Sequence, residues 1–431
     1  MTNSAPFDLV IGLDRSDAKA DLYLIDPRSG QESRETVATA PEAFVPWLQA
    51  LRQRYPKARV ALCLEQPAGN LMALLEPLDW IVLYPINPIT LQKFREAFVL
   101  CRAKDDTKDA QYLARLLLTH HAELTPWQPE DPATRLLQQL VAHRRAVVDE
   151  RTGLSNRLIA LLKQYFPQAL SLCGEELWRP LATNFLLRWP TLQALQKARP
   201  QTIQAFYYQH GSRREALIRQ RLATLASAVA LTQNPALLDS YALRVQVVAH
   251  QLQWVQRAVQ QYDQQIAQAF GTHPDRELFR NLPGAGPVLA PRLLTALGSC
   301  RERFETPAAL QCYSGIAPVT KQSGGTHHVH RRYLCSKFLR QSFHEYAKES
   351  ILHSRWAAAY YWQQRDRECG HHTAVHALAF KWQRILWRCW QNHEIYQENI
   401  YEAALRRSGS PIVSRFKKIQ LGRSPVKKSE K

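Results

Sequence analysis

Read by itself, the sequence predicts an α/β domain followed by a longer, mostly helical region. Three observations predict it. Up to Leu118, short apolar runs of strand length alternate with helical patterns. From Thr134 onward, Leu, Val and Ala recur mainly at helical spacing. The 431 residues are enough for two or three folded parts with a sizeable core.

Residues 7–13 form an apolar run that ends at Asp14. Residues 20–26 carry Leu22 and Leu24 into the turn Asp26-Pro-Arg-Ser-Gly30, and residues 32–39 follow, so three short strands come in meander order. Residues 41–55 read as a helix and 58–65 as a buried strand ending on an acid. A helix over 69–78, a strand over 80–84 and a helix over 88–100 complete the pattern. Three strands, helix, strand, helix, strand, helix is the order of a ribonuclease-H-like α/β domain.

The last helix of that series begins near Lys104. At helical period Asp106, Asp109, Ala110, Leu113, Leu116 and Leu117 share one face, and Asp105, Lys108, Tyr112 and Arg115 share another. Two carboxylates thus head the apolar stripe, where they repel each other and lose hydration unless a cation compensates. The alternative is that Asp105 and Asp106 simply cap the helix start. Asp14 ends the first, central strand and Glu65 ends the strand expected beside it, and strand ends of an open sheet are where ligands bind. With Asp106 and Asp109 they make four carboxylates directed at one point. Hard oxygen ligands suit Mg2+ or Mn2+, and such ions stabilise the attacking and leaving oxygens of a phosphoryl transfer.

Lys and Arg number 56 against 37 Asp and Glu, a net charge of +19, which implies a polyanionic partner such as nucleic acid. The eight cysteines contain no CxxC pair, so they read as reduced residues with no structural zinc. No apolar run reaches the length of a membrane span and no signal segment opens the chain, so the expectation is a cytoplasmic protein without membrane contact.

Residues 134–164 are helical and basic, with His143, Arg144, Arg145, Arg151 and Arg157. Residues 174–200 are broken by Pro180, Pro190 and Pro200. Residues 213–268 form a long Gln-rich run, striped by residues such as Leu222, Leu252 and Val259, that requires a partner helix, either folded back from the same chain or supplied by a second copy. Gly284 and Gly286 then precede an apolar helix, as in helix-hairpin-helix elements whose amides approach phosphate, although a plain αα-corner uses the same glycines. Ser323 stands before two glycines in a basic loop, where its hydroxyl can meet a phosphate held by Arg331, Arg332, Lys337 and Arg340. The same tripeptide also reads as an ordinary turn. Ser314 is a second candidate with apolar flanks. His327, His328 and His330, like Cys369, His371 and His372, lack zinc spacing and read as phosphate contacts or solvated loop residues. Trp382, Trp387 and Trp390 read as helix packing, and residues 406–431 as a disordered basic arm. The expected organisation is 1–130, 131–275, 276–400 and a tail over 401–431.

Taken together, these motifs resemble the DEDD-type transposases of bacterial insertion sequences, the bridge-RNA-guided recombinases. Ile11-Gly-Leu-Asp14, Leu64-Glu65 and Lys104-Asp-Asp-Thr-Lys-Asp-Ala110 match their RuvC-like N-terminal domain. Leu282-Pro-Gly-Ala-Gly-Pro287, Tyr313-Ser-Gly-Ile-Ala-Pro318 and Ser323-Gly-Gly325 match their C-terminal transposase domain. The resemblance implies that Asp14, Glu65, Asp106 and Asp109 are a metal-binding tetrad and Ser323 the nucleophile that attacks DNA. It also implies a homo-oligomer, dimer or tetramer, in which a tetrad from one subunit meets a serine from another, guided by a noncoding RNA and working on the bacterial nucleoid. Two departures stand out. Asp105 occupies a position where an uncharged residue is common, and His327-His328-Val329-His330 replaces a more uniformly basic run. The residues alone leave two other classes open: a RuvC-like structure-selective nuclease that activates water, and a non-catalytic basic RNA-binding scaffold.

Overall fold

The computed structural model describes residues 6–66, 71–97 and 106–419, apart from the side chains of Asp106, Thr107 and Lys418. It divides into two compact units, Met1–Pro129 and Glu130–Lys431.

In the first unit β1 (Leu9–Arg15), β2 (Lys19–Ile25) and β3 (Glu32–Ala38) form an antiparallel meander. Helix α1 (Pro41–Arg54) leads into β4 (Val60–Glu65), which lies parallel to β1. Helix α2 (Leu71–Leu75) leads into β5 (Ile81–Ile86), parallel to β4. The resulting five-stranded sheet has the order β3-β2-β1-β4-β5. Helices α3 (Pro88–Glu96) and α4 (Asp106–His120) follow.

Alternation along the strands decides which helix covers which face. Leu9, Ile11 and Leu13 of β1, with Val60, Leu62 and Leu64 of β4, pack on α1 and α2. Val10, Ala61, Cys63 and Tyr84 pack on Leu91 of α3 and on Leu113, Leu116 and Leu117 of α4. Because both faces are covered, β1 and β4 are apolar almost throughout, as central parallel strands are. Burial raises the Cys63 thiol to about 12, which keeps it protonated and inert.

The second unit is built on two long helices, α5 (Pro132–Tyr165) and Pro235–Gly271. They run antiparallel: Arg144 pairs with Asp263 at 2.5 Å, Arg151 donates to Gln256 at 2.9 Å, and Tyr165 stacks on Tyr241. The partner of the long Gln-rich run is therefore a helix of the same chain. The run is also not continuous. It breaks between Glu215–Ala226 and Pro235–Gly271, because Asn234 caps the second helix by accepting from the Ala236 amide and Pro235 starts it.

Each end of the helix pair carries a core. One contains Leu158, Leu162, Phe185, Phe206 and Leu252. The other joins Leu137, Val141 and Ile266 to Leu293, Phe343, Trp356 and Trp382. The division expected at 275/276 thus runs through a shared core. Trp382, Trp390 and Trp356 are buried, and their indole N–H groups donate to Ser350, to the Gly298 carbonyl and to Tyr396 at 2.7–2.8 Å.

Two further differences from the sequence reading have clear causes. The stretch around Ser323 is a β-ribbon, β6 (Val319–Ser323) paired with β7 (Thr326–His330), because β-branched Val319, Thr320, Thr326 and Val329 flank a two-glycine turn. The basic tail is structured as far as Ile419. Ile412 and Phe416 are buried one turn apart, and Arg415 pairs with Asp366 at 2.5 Å. Residues 420–431 lie outside the described residues. Among the described residues no helix is long and apolar enough to cross a membrane, and no disulfide is present.

Candidate active site

With side chains alternating along a strand, Val10, Gly12 and Asp14 point to the α4 face of β1, and Ala61, Cys63 and Glu65 to the same face of β4. The parallel register pairs Leu13 with Leu64, so Asp14 and Glu65 each follow the same rung. On α4 the stripe falls where helical period puts it: Asp109, Ala110, Leu113, Leu116 and Leu117 are buried, and Lys108 and Arg115 are exposed. Asp14, Glu65 and Asp109 consequently line one cavity of about 470 Å3, together with Arg15, Lys19 and Arg95. Asp105 lies outside the described residues, as does the side chain of Asp106.

What sets α4 at this height is Gly12. A Cβ there would stand 2.0 Å from the Ala110 carbonyl oxygen and 2.4 Å from the Ala114 amide nitrogen, so only glycine lets the helix backbone lie directly on the strand. The position was findable, since it shares a face with Asp14 two residues on. Arg95 was not. Its Nη1 donates to both carboxylate oxygens of Asp109, at 3.0 and 3.3 Å, and neither partner is more than about a fifth exposed. No local pattern announces a pairing between two helices. Among the described residues no three His, Cys, Asp or Glu side chains converge closely enough to hold a metal ion as they stand.

In the second unit Ser323 is the last residue of β6, opposite Thr326 across the Gly324-Gly325 turn, and is exposed. Gly324 takes φ +54°, the positive value that a II′ hairpin turn needs at its first central position. The register puts Lys321 opposite His328 and Val319 opposite His330, so Lys321, Ser323, His328 and His330 share one face of the ribbon. Arg331 and Lys337 are exposed, whereas Arg332 and Arg340 brace the turn after the ribbon. Arg332 donates to the Ala317 carbonyl at 3.3 Å, and Arg340 donates to the Arg332 carbonyl at 3.1 Å.

Ser314 is fully buried and receives a hydrogen bond from Gln383 at 2.7 Å, so it holds the core together and is out of reach of DNA. Gly284, at φ +79°, packs against Glu349 and His353, where a Cβ would clash. Gly286 is exposed and has open space around it. His371 bonds Tyr361 at 2.8 Å and His376 bonds the Ile316 carbonyl at 3.0 Å, beside His344 and His372.

Both units match models of a single family. Residues 11–167 match the transposase model of the IS110 DEDD type, and residues 276–362 match the transposase model of the IS116/IS110/IS902 family. The chain belongs to the IS110 family of transposases. As an IS110-family transposase it is an enzyme that cuts and rejoins DNA. It is 25% identical, over 90% of its length and 95% of the relative's, to the mini-circle putative transposase for IS117 of Streptomyces coelicolor. It is 27% identical to an IS110 insertion-element protein of the same species, over 69% of this chain and 73% of the relative, and 26% identical to an IS900 protein of Mycobacterium paratuberculosis, over 70% and 75%. The first model spans the transposase's acid cavity and the second spans its serine ribbon.

Proposed function

We propose that this transposase moves an insertion sequence by phosphoryl transfer, with Ser323 as nucleophile and Asp14, Glu65, Asp106 and Asp109 as ligands of Mg2+ or Mn2+. The observation that carries the reading is the lining of one cavity by Asp14, Glu65 and Asp109, reached from two parallel strands and one helix of a five-stranded mixed sheet. That sheet order supports a ribonuclease-H-like first domain. The donor set is all carboxylate oxygen, which fits a hard divalent ion. When bound, the ions supply charge that stabilises the attacking and leaving oxygens on phosphorus.

The chain's own residues supply the rest. The Ser323 oxygen bonds to phosphorus as the bond to a departing DNA hydroxyl breaks, and an incoming DNA hydroxyl later reverses the link, so the energy of the phosphodiester is kept. Lys321, His328 and His330 lie on the ribbon face of Ser323 and meet the same phosphate. Arg331 and Lys337 extend the contact, and Gly286 offers an unhindered backbone for a second one. A homo-oligomer brings a tetrad of one subunit to the serine of another, and a noncoding guide RNA pairs with donor and target DNA.

The test is to trap wild type on a suicide DNA substrate in Mg2+, digest it and sequence the adduct. A DNA-linked peptide containing Ser323 is the expected result. Clean cleavage by Ser323→Ala, with no adduct in wild type, overturns the serine mechanism in favour of a nuclease that activates water.

A further inference from the structure

The acids of the first unit face one cavity, yet no three donors converge among the described residues. One of them, Asp109, is held by Arg95. Leu91 is buried under α4, and Arg95 follows it one helical turn later on the same face of α3, so its guanidinium is carried to Asp109. The contact is two-pronged on the carboxylate, at 3.0 and 3.3 Å, and largely shielded from water. Of the other cations lining the cavity among the described residues, Lys19 pairs at 3.0 Å with Asp21, a carboxylate of the same cavity, and Arg15 lies 3.8 Å from Asp17.

We propose that Arg95 is a built-in counter-cation that competes with the divalent metal for Asp109 and thereby makes metal uptake depend on nucleic-acid phosphate. The proposal rests on the reading of Asp14, Glu65 and Asp109 as metal ligands. A guanidinium cannot give up its charge, so a divalent ion gains Asp109 only if Arg95 turns away or is left beside it unpaired. A phosphate offers the turned guanidinium an anionic acceptor in place of the carboxylate it leaves, one that two of its N–H groups can meet at once. Phosphate binding and metal binding then favour each other, by the same factor in both directions. The device keeps the Asp109 carboxylate neutralised until nucleic acid is in place.

The experiment measures Mn2+ affinity by calorimetry on the full-length protein, for wild type, Arg95→Gln and Lys19→Gln, with and without a DNA duplex, after subtracting the duplex's own uptake. Without DNA, Arg95→Gln is expected to bind Mn2+ roughly five- to hundredfold tighter than wild type. DNA should tighten wild type and leave Arg95→Gln unchanged, and Lys19→Gln should change little. Should Arg95→Gln melt early, Arg95→Ala and Arg95→Met carry the same comparison. Equal or weaker affinity after loss of Arg95 overturns the competition, and a gain by Lys19→Gln as large as that of Arg95→Gln shows a general field in its place. A wild-type affinity that DNA does not raise removes the phosphate coupling. If no variant takes up Mn2+ while all melt normally, the metal reading itself fails, which is distinct from equal uptake by all.

Discussion

The acid cavity and the serine ribbon are built in opposite ways. Asp14, Glu65 and Asp109 are positioned by packing that leaves no freedom: strand register on one side, and on the other a helix seated on Gly12. Ser323 stands at the tip of a two-stranded ribbon whose residues are exposed, apart from a half-buried Val319. A ribbon of that kind is marginal by itself in water, so its working geometry is completed by what binds it. The first site is framed by packing, with Asp109 held by Arg95. The second is open in shape and carries its charge outward. A site made of carboxylates needs a rigid scaffold because like charges separate if they can, whereas a nucleophile that must meet DNA needs reach.

The largest way to break the comparison is to remove chemistry without disturbing structure. Ser323→Ala should lower cleavage and joining by several orders of magnitude and leave the melting temperature and DNA affinity near wild type, since one exposed oxygen is lost. Asp14→Asn and Glu65→Gln should abolish cleavage equally, measured on the same labelled duplex. Cleavage near the wild-type rate in either would remove that acid from the site.

Next in size is the scaffold itself. Gly12→Ala should cost the first unit about 3 kcal/mol, because the new methyl meets helix backbone that cannot turn aside, and cleavage should fall with it. Gly325→Ala is the matched control in the ribbon. Among the described residues nothing lies within 4 Å of a Cβ there, so denaturant unfolding should shift by no more than about 0.5 kcal/mol. Equal shifts for the two would mean that α4 is not seated on β1 as described.

Acid sharpens the contrast from the side of the second unit. Burial lowers His273, His344, His371 and His376 below the ordinary histidine value, helped in the last three by neighbouring positive groups such as His372 and Arg340. A folded value below the unfolded one means that protonation favours the unfolded chain. The stability these groups contribute is therefore complete above pH of about 6.5 and is lost as pH falls below it. Hydrogen exchange at pH 7.5 and 5.5 should show protection dropping around His273 and around the helix His371–Asn392. The chain of bonds from the Asp275 amide through His273 and Thr134 to Asp131 requires the neutral ring.

Smaller effects come from the caps and the tail. Asp131 accepts from the Ala133 and Thr134 amides at the start of α5. Burial alone would raise its carboxyl, but the hydrogen bonds from Thr134, Ser299 and Ala133 together outweigh it and bring it to about 2. Asp131→Ala should cost about 1 kcal/mol at neutral pH. That contribution, present above pH of about 4, should fade in the wild type as pH falls toward 2. Deleting residues 420–431 should leave the fold intact and reduce the salt dependence of DNA binding by about one log-log unit for each phosphate contact removed. A cut placed before Ile412 would instead remove core residues, so an unchanged slope in the shorter deletion is the outcome that denies the tail a role.

Much of this protein is determined by local pattern. Alternation along residues 9–15 and 60–65 already sends Asp14 and Glu65 to the same face, and a period of 3.6 sends Asp109 to the face of Leu113 and Leu117, because side-chain direction in strands and helices follows from backbone geometry alone. The tryptophans of the helix His371–Asn392 are legible as core for the same reason. What only the tertiary structure decided is which distant groups meet. Arg95 finds Asp109, α5 becomes the partner of Pro235–Gly271, Ser314 is closed off by Gln383, and Ile412 and Phe416 draw a basic tail into the core. Each of these depends on contacts between elements far apart in the chain, so periodicity can show that a face needs covering but not which distant group covers it.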